Sequence, residues 1–208
     1  MPQSALDKYP SWEPKYCREH SPKKKPSGGG GGKAKRSGRR SGGKRGAGEE
    51  NLTTAQVLAK YTGGPASGVF TDGSSVPNPG PGGWGVVWVE DGEIRAERSG
   101  QDPQTTNNRM ELMALIEAFR LLPEDSTAVV RTDSRLCVNT VEQWAAAWKA
   151  RGWMRKTGPI KNLDLVKELF ALRSAHPDCK VEWIAAHSGH RWNEYADSLA
   201  SAWRRDDA

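Results

Sequence analysis

The sequence predicts an α/β domain: a five-stranded mixed sheet with helices on both faces, carried behind a basic extension. Three observations point there. Three strand-like runs follow one another directly, helical and strand-like runs then alternate to the end, and the texture of the chain changes sharply near residue 63.

Residues 1–62 carry 14 Lys/Arg against 5 Asp/Glu, a net +9, whereas 63–208 carry 17 against 20, a net −3. The basic character therefore belongs to the extension, and a partner with a phosphate backbone is the first expectation. Within it, SPKKKPSGGGGGKAKRSGRRSGGKRGAG (21–48) has no apolar periodicity. Such a segment buries too little surface to offset its ordering entropy, so 1–62 is expected to be largely disordered. Non-specific nucleic-acid tethering, a nuclear-import signal and a solubilising linker all fit it. Near its end, LTTAQVLAKY (52–61) reads as a short helix.

The folded domain is expected over 63–208. GVFTDGS, WGVVWVE and GEIRAERSG read as strands separated by Gly-rich turns, an antiparallel meander. TTNNRMELMALIEAFRLL reads as a helix, because Leu112, Leu115, Ile116, Phe119 and Leu122 recur at spacings of three and four. TAVVRTDS supplies a fourth strand and Val138 to Trp148 a second helix. Lys161 to Ala175 follows as a helix, KVEWIAA as a fifth strand, and Trp192 to Trp203 as the last helix.

No run approaches the roughly 18 apolar residues of a membrane span, and the N-terminus has no apolar core of a secretory signal. Asp7, Glu13 and Glu19 argue against a transit peptide. Three widely spaced Cys (Cys17, Cys137, Cys179) suit a reducing compartment. A cytoplasmic protein is expected, nuclear being the alternative if the source is eukaryotic. With no heptad repeat, a monomer is expected.

Four carboxylates stand out, each with an ordinary explanation. Asp72-Gly73 is a common turn dipeptide. On a helical wheel at about 100° per residue, Glu111 borders the apolar stripe, with Leu115 near 40° and Leu122 near 20°. Glu117 falls near 240°, on the solvent side. A Glu beside a buried stripe needs a partner, and Arg109 and Arg120 are the nearby cations. Asp133 suits an N-cap, as does Ser134. Asp197 lies about 155° from the stripe of Trp192, Tyr195, Leu199 and Trp203, where a solvated Asp is common. Taken together they suggest more: acids converging at strand ends repel unless cations hold them, and oxygen ligands favour Mg²⁺ or Mn²⁺ over Zn²⁺. For zinc, Cys179, His187 and His190 have no common ligand spacing.

TDGS with Asp72, TTNNRMEL with Glu111, TDS with Asp133, and HSGHRWNEYADSLA with His187 and Asp197 occur in that order, 39, 22 and 64 residues apart from one acid to the next. In these motifs the chain resembles type 1 ribonuclease H over roughly 67–203. The resemblance implies a ribonuclease H-like fold and hydrolysis of the RNA strand of RNA–DNA hybrids, leaving 5′-phosphate and 3′-hydroxyl ends. It implies Asp72, Glu111, Asp133 and Asp197 as ligands of two Mg²⁺ ions, with Mn²⁺ able to substitute. His187 would assist proton transfer or product release.

Sensing RNA means sensing its 2′-hydroxyl from the minor groove. Gly73 permits a close backbone approach, while Ser75, Asn78, Asn107 and Asn108 offer short polar groups. Helix capping is the ordinary role for Asn107 and Asn108. By resemblance, Asn107 and Asn108 contact the hybrid, and Thr106 and Asn162 match a DNA-phosphate pocket. WAAAWKARGWMRK (144–156) interleaves Trp with basic residues. Trp144 is expected to pack on a neighbour. Trp153, with Lys149, Arg151, Arg155 and Lys156, is expected to form an exposed handle for the DNA strand.

Overall fold

The computed structural model describes residues 51–205; the basic low-complexity segment lies outside them. Five strands form one sheet in the order β3-β2-β1-β4-β5. The meander is present as β1 (Gly68–Ser75), β2 (Gly80–Glu90) and β3 (Glu93–Thr105), paired antiparallel. β4 (Val129–Thr132) joins β1 in parallel, and β5 (Lys180–Trp183) joins β4 in parallel. The mixed sheet is therefore as predicted. β1 has a strand on each side and is buried along almost its whole length, the environment in which a near-continuous apolar run is stable.

Side chains alternate between two cores. Val69 and Val86 join Leu115, Ile116 and Phe119 of α2 (Asn107–Leu121) and Leu169 of α5 (Leu163–Ala175). Phe70, Val87 and Val89 join Trp192 and Tyr195 of α6 (Arg191–Ala200). Helices thus cover both faces. The expected boundary at 63 cuts into the packed unit. Helix α1 (Thr54–Lys60), foreseen at 52–61, packs on α6 and buries Val57 in the second core. Its start is fixed by a reciprocal cap: Gln56 N donates to Thr53 Oγ1 (3.3 Å) and Thr53 N to Gln56 Oε1 (2.8 Å). No helix among the described residues is long and apolar enough to cross a membrane.

Several local expectations change. Asp72 and Gly73 sit inside β1, as the strand reading of GVFTDGS expected, opposite Gly85 and Trp84, so the turn alternative does not hold. The helix expected over Val138–Trp148 begins earlier and is interrupted, as α3 (Arg135–Asn139), a π-helical turn (Thr140–Trp144) and α4 (Ala145–Ala150). A π turn holds more residues than an α turn, so the face that a regular period would bury is rotated. Trp144, expected to be packed, is 36% exposed. Trp153, expected to protrude, sits edge-on against Phe170 with ring centroids 5.8 Å apart. Glu117 is buried rather than solvated, because Arg98 of β3 (3.1 Å) and Arg120 close over its carboxylate. The wheel of an isolated helix cannot register a strand that folds over it. The last helix stops at Ala200, and a 3₁₀ turn (Ala202–Arg204) follows.

Candidate active site

Four elements deliver carboxylates to one cavity of about 230 Å³, lined by Asp72, Glu111, Asp133 and Asp197 with His187 beside them. Asp72 is 7% exposed in the middle of the sheet. Glu111 lies one turn into α2, Asp133 just past the end of β4, and Asp197 on α6. Ligand oxygens of Asp72, Glu111 and Asp133 all lie within 4.8 Å of one another. Asp197 shares a hydrogen bond with Asp72.

Close packing of helices on the sheet makes this convergence. A Cβ on Gly73 would come within 2.2 Å of the Glu111 backbone nitrogen, so only glycine lets the first turn of α2 lie on β1 there. On the opposite face, a Cβ on Gly85 would lie 2.4 Å from Ala196 O. Gly85 thus lets α6 approach, and Asp197 with it. Gly73 was expected to admit a nucleic acid; its missing side chain is required by the protein's own helix.

The alternative roles of Asp133 and Glu111 are taken by other residues. Ser134, not Asp133, caps α3, its hydroxyl accepting from Cys137 N (3.4 Å). Arg109 pairs with Asp164 (2.8 Å), and Arg120 with Glu117 and Glu168, so neither neutralises Glu111. Instead Thr132 Oγ1 donates to Glu111 (3.5 Å), and Ser134 also hydrogen-bonds it. Burial, then Asp133, pushes the Glu111 carboxyl up to about 8. Burial followed by Asp133, Glu111 and Asp197 holds Asp72 well above the usual carboxylate range. Asp133 is raised by burial and by Asp197, against the opposing pull of His187. These acids cannot all ionise together cheaply, and hard oxygen donors this close fit a divalent cation. Among the described residues, no metal-capable group contains Cys179, His187 or His190. Cys179 is buried and donates to Ser126 O.

The other expected residues divide between two places. Gly73, Ser75 and Asn107 line the acidic cavity. Asn107 Oδ1 accepts from Ser75 N (2.6 Å), and Asn107 N donates to Asn78 Oδ1 (3.3 Å), which ties the start of α2 to the end of β1. The cap of α2 is Thr106, which accepts from Arg109 N; neither Asn107 nor Asn108 caps it. Asn108, Asn162 and Arg155 line a second cavity of about 120 Å³ with Trp144 and Trp148. Asn162 holds a left-handed backbone (φ 52°) at the start of α5. Lys149 lies 4.9 Å over the Phe170 ring, and Arg155 Nε donates to Gly158 O (3.0 Å). Arg151 and Lys156 are exposed. None of the 149–156 residues lines the acidic cavity.

Several lining residues were missed, Asn193 among them. Asn193, 3% exposed, hydrogen-bonds Asp133, while its Oδ1 is buried without a partner. Its signal was available, since it precedes Asp197 by one helical turn and so shares its face. Arg204 also lines the cavity.

The RNase H family profile matches residues 65–204, so this chain belongs to the RNase H family, as its motifs implied. It is 45% identical over 134 residues to the ribonuclease HI of Caulobacter vibrioides, an alignment covering 64% of this chain and 89% of that protein. It is 46% identical over 139 residues to the ribonuclease H of Methylorubrum extorquens, covering 66% of this chain and 60% of that longer protein. Among solved structures it resembles LC9-RNase H1, a type 1 RNase H with the type 2 active-site motif. The TM-score there is 0.58 at 34% identity, over 71% of this chain and 76% of the other.

Proposed function

We propose that this protein is an endonuclease that hydrolyses the RNA strand of RNA–DNA hybrids, leaving 5′-phosphate and 3′-hydroxyl ends. The observation that carries the reading is the convergence of Asp72, Glu111 and Asp133 in one cavity, in a chain of this family, with no arginine or lysine paired to them among the described residues. The three, joined by Asp197, would hold two divalent ions, Mg²⁺ first and Mn²⁺ as a substitute. When bound, such a pair activates a water and stabilises the leaving oxygen.

The chain's own groups do the rest. Asn193 fixes the Asp133 carboxylate by hydrogen bonding, and Thr132 and Ser134 fix that of Glu111. His187, on the loop before α6, lines the cavity and would assist proton transfer or product release there. Ser75, Asn78 and Asn107 present short polar groups to the 2′-hydroxyl side of the RNA. Thr106, Asn108 and Asn162, with Lys149, Arg151, Arg155 and Lys156, hold the DNA strand. The basic extension adds non-specific affinity for nucleic acid. We expect the protein to act as a monomer, in the cytoplasm.

The test is cleavage of a labelled RNA–DNA hybrid beside duplex RNA and duplex DNA, in Mg²⁺ or EDTA, with Asp72→Asn alongside. Cutting confined to the RNA of the hybrid, and lost with EDTA and with the substitution, is expected. Binding without cleavage in both Mg²⁺ and Mn²⁺ would replace this reading by a non-catalytic hybrid-binding protein.

A further inference from the structure

Three of the four acids are set by the sheet or by a helix locked onto it. Asp72 lies on β1, Asp133 just past β4, and Glu111 on the turn of α2 that closes over Gly73. Asp197 depends instead on where α6 lies along its own axis. That helix is held from outside by residues 51–64, all of which precede the region matched to the family.

This segment meets α6 at both ends. Beyond Asp197, Ser198 Oγ donates to Leu52 O (2.7 Å) and Ser201 Oγ to Asn51 Oδ1 (3.0 Å). Arg205 closes the same corner, donating to Leu52 O (2.9 Å), Asn51 Oδ1 (2.5 Å) and Ser198 O (2.6 Å). At the start of α6, Gly63 pairs with His190 in an isolated bridge, and Arg191 N donates to Gly63 O (2.8 Å). Gly64 beside it holds φ 105°, and a Cβ there would stand 3.1 Å from His190 Cβ, so this crossing calls for glycine. Between the two ends α1 buries Val57, 1% exposed, in the core that holds Trp192, Tyr195 and Ala196.

Ten residues of helix put those ends about 15 Å apart. A helix fixed at both ends neither slides nor turns, and a metal ligand must be held to within about 0.5 Å of its working place. Asp197 and Asn193 project from α6 into the acidic cavity, where Asp197 shares a hydrogen bond with Asp72.

We propose that residues 51–64 are a positioning brace: by pinning both ends of α6 they set the Asp197 carboxylate against Asp72 for a divalent cation. This rests on the hybrid-nuclease reading above. Gly64 and Arg205 are the positioning residues at its two ends.

The full chain is titrated with Mn²⁺ by calorimetry, without nucleic acid, as wild type, Gly64→Ala, Arg205→Ala and Arg205→Lys. Groups that directly orient a metal ligand are worth about 10–100-fold in affinity, and the brace acts one step further away. Affinity should therefore fall about three- to tenfold in Gly64→Ala and in Arg205→Ala. Arg205→Lys keeps a donor for the carbonyls of Leu52 and Ser198 and should recover most of the loss. Charge alone predicts the opposite for Arg205→Ala, since removing a cation near four acids favours a bound metal ion. A loss there reports position. Leu169→Ala, in the other core, is the stability control: it should melt early yet bind Mn²⁺ as wild type does, every titration being run where the variant is folded. Wild-type Mn²⁺ affinity in either Gly64→Ala or Arg205→Ala, whatever its melting temperature, overturns the proposal, as does an equal loss in Leu169→Ala. Should Arg205→Ala fail to fold, Arg205→Gln carries the same comparison. Hybrid cleavage by the wild type is measured in parallel. If it leaves hybrids whole, the functional reading fails; if it cuts them and the brace variants bind Mn²⁺ normally, this inference alone fails.

Discussion

Gly73 and Glu111 are locked together: the space a Cβ on Gly73 would fill lies 2.2 Å from the Glu111 nitrogen and 2.3 Å from the Met110 carbonyl carbon. Both neighbours are backbone, which cannot rotate aside. Gly73→Ala should therefore displace the first turn of α2, costing about 1–3 kcal/mol as overpacking and moving Glu111 away from Asp72. A thermal melt without metal and a cleavage assay at several Mg²⁺ concentrations check this. Stability should fall, and more Mg²⁺ should be needed for half-maximal cutting. Wild-type values in both would show that β1 and α2 are less tightly seated than their backbones indicate.

The buried acids predict an unusual pH dependence for the metal-free protein. Glu111 is raised in the folded state to about 8 from an ordinary value near 4.5, by burial first and Asp133 second. A raised carboxyl favours the fold while protonated. Its contribution is therefore complete below about pH 4.5 and is lost as pH rises through about 8. Asp72 and Asp133 are shifted in the same direction. In EDTA the melting temperature should decline from pH 5 to pH 8 beyond the trend of Glu111→Gln, and saturating Mg²⁺ should flatten the curve. A metal-free melt that rises over that range would refute the assignment of mutual repulsion.

Glu117 offers a control from the same helix. Its carboxylate is 8% exposed, but its partners Arg98 and Arg120 are each nearly half exposed at the side chain. Both arginines can return to water when the acid is removed, so Glu117→Gln should cost only about 1 kcal/mol. It does not line the acidic cavity, and hybrid cleavage should persist at the wild-type rate. A large loss of cleavage with an unchanged melt would mean that α2 transmits more to the site than packing alone accounts for.

How far the sequence alone disclosed these features depended on whether the cause was local. Periodicity located all five strands, and the two apolar stripes located α2 and α6, because burial on a sheet imposes those patterns. The four acids were legible through their motifs, yet each on its own resembled a turn, a cap or an ion pair. For Asp133 and Glu111 the ordinary role went to a neighbour: Ser134 took the cap of α3, and Asp164 took Arg109. Contacts between distant segments stayed hidden. Arg98 reaching over Glu117 and Gly85 admitting α6 leave no trace in the local pattern.

The exchange of roles between Trp144 and Trp153 yields the sharpest contrast. Trp153 packs edge-on against Phe170, with Lys167 Nζ 5.7 Å from its ring. Removing it opens a gap against α5, and Trp153→Ala should cost about 2–3 kcal/mol, at the low end for a buried aromatic because the ring is only partly covered. Trp144 is 36% exposed, leans on Trp148 (centroids 5.9 Å), and lines the second cavity with Asn108, Arg155 and Asn162. An exposed ring beside a guanidinium and two amides is a stacking surface for a sugar or base, worth roughly 1–3 kcal/mol per contact. Trp144→Ala should therefore leave the melting temperature within about 2 °C of wild type. It should raise KM for the hybrid at least about fivefold, with kcat nearly unchanged. Trp153→Ala should show the reverse: an early melt, and near-normal KM at a temperature where the variant is folded. If Trp153→Ala raises KM without loss of stability while Trp144→Ala does not, the handle binds as the sequence suggested, and the packing against Phe170 is not what holds Trp153.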